Sequence, residues 1–475
     1  MLVVNEMYLY NFICKNTKTN TDTYRCQKYK SSFHCNAYIK IKDNEITSFI
    51  NNHNHESNDI NVIKEEAKLK IKEEIFKSSD PFSIKPKKLV KSFSTQNGLK
   101  FPSYNTLKTF LYEQINKNLP SNINSFEEAP VNSIYYKTIK DEEFLIYRDD
   151  NLMIFQSPDQ AKIHLKYGKI IFADATFFSC PNLAYQLFII RVHSLIDNIY
   201  YTTSFSLMKN KTEKDYALIF KKLSNNISHY LDIGEEYNIF EIHTDFEKAI
   251  GEGCKQIFPK IKIKYCIWHL LRLLEINKNK LCYQEVNEDN KIFGFYNTIK
   301  NLYLCDPSYV KIVFNIIENE NTNKNFGLFL EYFKKEYLKI FPVEGWNYYL
   351  DYRYCTNNAC EGYNSKLNKL FQSKPSFFKL LHELRYEEQD IVNTYYKRIN
   401  GLIGSNNRRN FQTFKKLEIL KDDIKNLNEL PEDNSDNKKK KGYAWIDDLK
   451  NLVQEFLIKL EFIFVNQNNY LWYLN

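Results

Sequence analysis

Between Gly168 and Leu274 the apolar and polar positions follow a legible order. KIIFADATFF, QLFIIRVHSL and IYYTTSFSL are apolar, β-branched and aromatic runs separated by the turn pairs Pro181–Asn182 and Asp197–Asn198. Such runs predict three consecutive strands in a meander. Over 213–231 the period changes, and Tyr216, Ile219, Phe220, Leu223, Ile227 and Tyr230 recur at helical spacing on one face. NIFEIHTD returns to strand character. A helix over 246–257, the short strand KIKYC and a helix over 268–276 are expected after it. The order β-β-β-α-β-α-β predicts a mixed sheet with helices on its faces, in which the first and fourth strands are neighbours.

That order is the one a ribonuclease H-like fold requires. The rest of the chain reads differently. Residues 8–56 alternate short apolar-polar runs (YLYNFICK, AYIKIKDN, EITSFI) with turn-forming clusters, which predicts a small antiparallel sheet. Helical periodicity runs from Asn61 to Phe76, and two further helical stretches flank a Gly98–Pro102 break within 83–118, a candidate helix-turn-helix. Residues 120–132, rich in Asn, Ser and Pro, are the expected linker. Amphipathic helices are expected over 277–350. The expected organisation is an all-β module at 1–60, a helical segment and linker at 61–132, an α/β domain at 133–400 with a helical insertion at about 277–350, and a basic, aromatic helical tail at 401–475.

A chain of 475 residues exceeds one ordinary core. Lys and Arg number 66 against 58 Asp and Glu, a net charge of +8 that suits a polyanionic partner without establishing one. The lysine run at 438–441 reads as a solvated loop, with nuclear import or phosphate contact as the alternative. No signal peptide and no membrane span are expected, and neither is a membrane partner. The ten cysteines are scattered irregularly, so free thiols or metal ligands are expected rather than a disulfide scaffold, with Cys180, Cys282 and Cys305 as core thiols.

Asp174 stands in the middle of KIIFADATFF, a run apolar enough for both strand faces to be covered. An ionised carboxylate buried there is costly unless a cation or donors compensate it, and a hydrogen-bonded structural Asp is the other reading. Asp245 ends NIFEIHTD where a helix begins, a position equally suited to a helix cap. Glu361 opens NACEGYNSKLNKLF beside an apolar face of Cys360, Tyr363, Leu367, Leu370 and Phe371, where a surface glutamate is also common. The conjunction is more specific. With the first and fourth strands adjacent, Asp174 and Asp245 converge, and a later helix can bring Glu361 over them. Three carboxylates sharing a site repel unless they hold hard divalent cations, Mg²⁺ or Mn²⁺. Two such ions about 3.5–4 Å apart activate a water or hydroxyl and stabilise the leaving oxygen in phosphodiester cleavage. Cys266-x-x-His269 offers two ligands where structural zinc needs four, so packing or hydrogen bonding is expected of the pair, with Trp268 between them a core aromatic.

Near the amino terminus Cys26, Cys35, His53 and His55 supply the two thiolates and two imidazoles that tetrahedral Zn²⁺ prefers. Strand-like segments separate the two ligand pairs, and a module this small needs such a staple. Cys14 and His34 are spare candidates. Arg25, Lys28, Tyr29 and Lys30 beside the first ligand are candidates for phosphate or base contacts, or form a solvated turn.

FADATF, HTDFEKAI, CIWH and TNNACEGYNSKL together resemble the catalytic domain of Mutator-like (MULE) transposases over roughly 168–371, and YRCQKYKSSFHCNAYIKIKDNEITSFINNHNHE resembles FLYWCH and WRKY-type zinc fingers. The resemblance implies D-D-E chemistry: metal-dependent nicking at element ends, then attack of the freed 3′-hydroxyl on target DNA. Asp174, Asp245 and Glu361 match the three acids, and Cys266 and His269 fall on a further part of the family pattern. It also implies double-stranded DNA as partner (transposon ends and target), assembly of copies on DNA, and a nuclear location. The competing reading is a domesticated, non-catalytic DNA-binding regulator, with a ribonuclease or junction resolvase on the same fold as a third.

Overall fold

The computed structural model describes residues 2–4, 8–56, 59–97, 101–196, 198–349, 354–355, 357–371 and 374–403. The lysine run at 438–441, and the expected tail from 404 onward, lie outside them. The chain divides at Ser121/Asn122 into two compact units.

In the first unit five strands form an antiparallel sheet in sequence order: β1 (Leu2–Val4), β2 (Tyr8–Asn16), β3 (Thr21–Cys26), β4 (Tyr38–Lys42) and β5 (Glu45–Ile50). The sheet was expected, but β3 was not, because TDTYRC has too few apolar positions to show a period. Its buried set is small: Leu9, Tyr10, Cys26, Cys35, Ala37 and Ile39. Three helices follow, α1 (Asp59–Lys77), α2 (Pro86–Asn97) and α3 (Tyr104–Asn118). They share a core of Ala67, Ile71, Ile75, Val90, Leu107, Leu111 and Ile115. Ser103 caps α3 by accepting from the Thr106 N–H.

Residues 120–132 form neither helix nor strand, yet in the second unit Phe126 and Ala129 are buried and Arg148 donates to the carbonyls of Ala129 and Pro130. The next elements are β6 (Leu145–Arg148), β7 (Leu152–Phe155), α4 (Pro158–Tyr167), β8 (Ile170–Thr176), β9 (Gln186–Ser194), β10 (Ile199–Met208), α5 (Glu213–Ser228), β11 (Glu241–Thr244), α6 (Lys248–Ile257), β12 (Lys262–Tyr265) and α7 (Ile267–Leu281). Among the described residues they make one seven-stranded sheet, ordered β12-β11-β8-β9-β10-β7-β6. β12, β11 and β8 are parallel, and the remaining pairings are antiparallel. This is the mixed, ribonuclease H-like arrangement, and the first and fourth strands of the expected order, β8 and β11, are neighbours.

The helices cover the sheet through the residues whose spacing announced them. Tyr216, Ile219, Phe220, Leu223 and Ile227 of α5 are buried with Ile171, Ala173, Phe188 and Ile190 of the sheet. Tyr230 lies beyond the helix and is partly buried. Packing between α5 and α6 is close: a Cβ built on Gly253 would meet the Glu213 carbonyl oxygen and Tyr216 Cβ at 2.7 Å each. Gly253→Ala is therefore expected to destabilise this unit by about 1–3 kcal/mol, read as a lowered thermal midpoint, because backbone and Cβ cannot swing aside.

After α7, the helices α8 (Tyr283–Glu288), α9 (Asn290–Lys300), α10 (Pro307–Glu320), α11 (Lys324–Lys335) and α12 (Val343–Trp346) form the expected helical insertion. It has its own core, in which Phe314, Phe326, Phe329, Phe333, Tyr337 and Trp346 are buried. Tyr265 of β12 joins this core. Two helices close the described chain, α13 (Asn358–Leu370) and α14 (Phe377–Ile399). No described helix is long and apolar enough to cross a membrane.

Candidate active site and metal centres

Asp174 is buried in β8, and Asp245 follows the last residue of β11. The parallel register pairs Glu241 with Ile170, Ile242 with Ile171 and His243 with Phe172, so its continuation sets Asp245 beside Asp174. Both lie at the carboxyl ends of parallel strands, where open α/β sheets gather their ligands. The helix-cap reading of Asp245 does not hold: α6 begins at Lys248 with Glu247 as its cap residue. Asp245 instead turns the chain, its carbonyl accepting from the Glu247 N–H. Glu247 is held by the buried Tyr216 hydroxyl, which donates to Glu247 Oε1 at 2.9 Å and accepts from Gln186 Nε2 at 2.7 Å.

Helix α13 brings Glu361 to the same place. Cys360, Tyr363 and Leu367 are buried as the expected apolar face, and Phe371 is buried just past the helix; Leu370 is a correction, since it is exposed at the last helical turn. The polar side carries a pattern that sequence reading missed. Asn357, Glu361, Asn364 and Asn368 are spaced i, i+4, i+7 and i+11, one helical stripe, and its asparagines run along β8. Asn357 Nδ2 donates to the Ala173 carbonyl at 3.2 Å, Asn364 Nδ2 to Asp174 Oδ2 at 2.7 Å, and Asn368 Oδ1 accepts from Thr176 Oγ1 at 3.1 Å. The first turn is pinned as well. Half-buried Arg191 donates to the Ala359 carbonyl and lies 4.8 Å from the Tyr363 ring centre. The stripe was readable from spacing alone, but Asn reads as easily as a turn or surface residue.

His269, three residues into α7, reaches the acids from the other side. Its Nδ1 lies 3.0 Å from Asp245 Oδ1 and 3.7 Å from Glu361 Oε1, in hydrogen-bonding geometry with neither. Cys266 is buried, accepts from the Asn357 N–H at 3.2 Å, and its Sγ is 4.0 Å from Glu361 Oε1. The expected hydrogen-bonding role thus describes Cys266, whereas His269 sits among the carboxylates. Donor atoms of Asp245, Cys266, His269 and Glu361 all lie within 4.8 Å of one another, a set able to hold a metal ion. Trp268 is a correction: it is half-buried, with Arg272 stacked 5.1 Å over its ring, and is not a core aromatic. Cys180, Cys282 and Cys305 are buried as expected, and all ten cysteines are free.

Electrostatics show what the acids lack. Burial first, then the charges of Asp245 and Glu361, hold the Asp174 carboxyl well above the ordinary carboxylate range against the Ala175 N–H donated to it. Burial also raises Glu361, with His269 and Arg272 opposing and Asp245 adding to the rise. Clustered acids of this kind fit a divalent cation, which would supply the missing positive charge. A carboxyl whose folded pKa exceeds its unfolded value binds its proton more tightly when folded, so stability falls as pH rises from the usual carboxylate value through the folded one. Asp174→Asn is expected to flatten that slope, the part due to Glu361 remaining, because the neutral amide at 174 no longer exchanges a proton. Thermal unfolding against pH checks this, and an unchanged slope contradicts it.

The amino-terminal ligands form a second centre. Cys26 Sγ lies 3.2 Å from His55 Nε2, Cys35 Sγ 3.4 Å from His53 Nδ1, and the two histidine nitrogens are 3.4 Å apart. A tetrahedral Zn²⁺ with ordinary bond lengths separates such ligands by about 3.3–3.8 Å. Each imidazole is oriented through its other nitrogen, His53 Nε2 by the Tyr10 hydroxyl at 2.8 Å and His55 Nδ1 by the Glu56 carbonyl at 2.8 Å. Absent a cation, burial and then Cys35 push the Cys26 thiol up to about 11, against the Lys28 N–H. The donors fit zinc. Exposed Cys14 and His34 stand outside this cluster. Tyr29 lies under the cations of Arg25 and Lys30 at 5.9 and 5.4 Å, giving a basic, aromatic surface beside the ligands.

A carboxylate cluster at the strand ends of a ribonuclease H-like sheet defines the class of site. Residues 170–272 match the MULE transposase domain. The matched span contains Asp174, Asp245, Cys266 and His269 and stops short of Glu361, which α13 returns to the same cluster. No curated protein matches the chain.

Proposed function

We propose that this chain is a Mutator-like DNA transposase that cuts and rejoins DNA strands at element ends, with Asp174, Asp245 and Glu361 as the acids holding Mg²⁺ or Mn²⁺. The observation that carries the reading is the convergence of two acids from the matched span with a third from α13. Bound ions would activate the attacking oxygen and stabilise the leaving one. The chain's own residues set the geometry. Asn364 orients Asp174, Asn357 ties Asp245 to β8 with its amide 3.5 Å from Asp245 Oδ1, and Arg191 fixes the turn that carries Glu361. The amino-terminal zinc module supplies DNA recognition in this reading, its Arg25, Lys28 and Lys30 contacting phosphates. The partner is double-stranded DNA, and the protein works in the nucleus. The test uses labelled duplexes spanning the DNA that flanks this chain's own coding sequence. Divalent-dependent nicking at defined ends supports the reading. Selective binding with no cutting in Mg²⁺ or Mn²⁺ replaces it with a non-catalytic DNA-binding regulator.

A further inference from the structure

The set of donors around His269 is unlike a hard-cation site. Asp245 and Glu361 offer oxygen, but His269 offers an imidazole nitrogen and Cys266 a sulfur, all within 4.8 Å. Mg²⁺ prefers six oxygen ligands and keeps several waters, whereas thiolate with imidazole selects zinc-like ions. The separations of 3.0, 3.7 and 4.0 Å among these atoms bracket the roughly 3.3–3.7 Å between N, O and S ligands of tetrahedral Zn²⁺. His269 Nδ1 is buried without a hydrogen bond, as a nitrogen reserved for an ion would be. The Cys266 sulfur already accepts the Asn357 N–H at the amino end of α7, which fixes it facing Glu361. Asp174 is outside this group of four.

We propose that Asp245, Cys266, His269 and Glu361 form a second zinc site, distinct in its ligands from the amino-terminal one, and that zinc there competes with the cleavage cations for Asp245 and Glu361. On binding, the Cys266 thiol loses its proton to solvent and no other bond changes. The four protein ligands close the tetrahedron, so a zinc ion there leaves no open position for a reacting oxygen. Zinc is then an inhibitor of cutting, a consequence that rests on the cleavage reading; the binding itself does not.

The test measures metal content, not activity, in the full chain. Zinc is expected at about two ions per chain, falling to about one in Cys26→Ser/Cys35→Ser and to near none when Cys266→Ser is added. Titrating Cys26→Ser/Cys35→Ser with Cd²⁺ is expected to give the ultraviolet cadmium–thiolate band, saturating at about one equivalent and reduced at least about tenfold by Cys266→Ser. Because Cys266→Ser can disturb packing, His269→Gln is measured beside it, with circular dichroism confirming the fold, and is expected to weaken zinc binding at least about tenfold. Zinc confined to the amino-terminal module, or a second ion retained by both Cys266→Ser and His269→Gln, overturns the proposal. A chain that binds the second zinc but never cuts DNA supports the site and removes only its inhibitory consequence.

Discussion

Replacing Asp174, Asp245 or Glu361 singly by Ala is expected to lower strand cleavage by about 10³-fold or more while leaving DNA affinity within about threefold of wild type. The acids act through one another: Asp174 feels Asp245 and Glu361 as charges, and Glu361 feels Asp245. Removing any one therefore disables the set, and pairs of substitutions should cost little more than the worst single one. In the proposed reading the phosphate contacts come from Arg25, Lys28 and Lys30, so affinity should be spared and its salt dependence should be the same in all three variants. Asn364→Ala separates positioning from ligation. Asp174 keeps its Ala175 N–H but loses the amide on Oδ2, so a partial loss is expected, with a raised requirement for the divalent ion. Cleavage rates measured against Mg²⁺ and Mn²⁺ concentration distinguish the two outcomes.

Cys35→Ser is expected to unfold the amino-terminal sheet within the full chain. Among the described residues its buried set has six members, and two are the cysteine ligands themselves. Phe12, Ile46 and Phe49 are exposed, so apolar burial contributes little. Zinc binding in modules of this size is worth about 10 kcal/mol or more, most of it folding free energy. Backbone hydrogen exchange should show residues 8–56 losing protection by orders of magnitude while β8, β9 and β10 keep theirs. Sequence-selective DNA binding should fall at least about tenfold. A zinc-depleted chain that keeps protection in β2 and β3 contradicts the assignment.

The elements around the acids were legible because β8, β9 and β10 are dense apolar runs and α5 has clean helical spacing, so local pattern and tertiary burial agree. β6 and β7 went unread although LIYRDDNLMIF holds two apolar runs around a turn; strands of four residues give too short a period to weigh. Asp174, Asp245 and Glu361 stood out as charges in or beside apolar stretches. His269 did not, since two ligands look incomplete until α13 folds back and adds Glu361 to them. Trp268 was misread for a related reason. Its apolar bulk suggests a core, but its place near the amino end of α7 leaves one face to Arg272. The asparagine stripe is present in the spacing, but that it lies along β8 is tertiary information that spacing does not carry.

The most direct test of the central claim replaces a non-bridging oxygen of the scissile phosphate by sulfur and follows nicking by wild type and Glu361→Ala. If the acids hold cations on that phosphate, wild type should cut the unmodified end in Mg²⁺, cut the sulfur-substituted end at least about tenfold more slowly in Mg²⁺, and recover in the softer Mn²⁺, with Glu361→Ala inactive throughout. Cutting by Glu361→Ala at the wild-type rate, or no cutting of the unmodified end by wild type in either metal, would contradict the account.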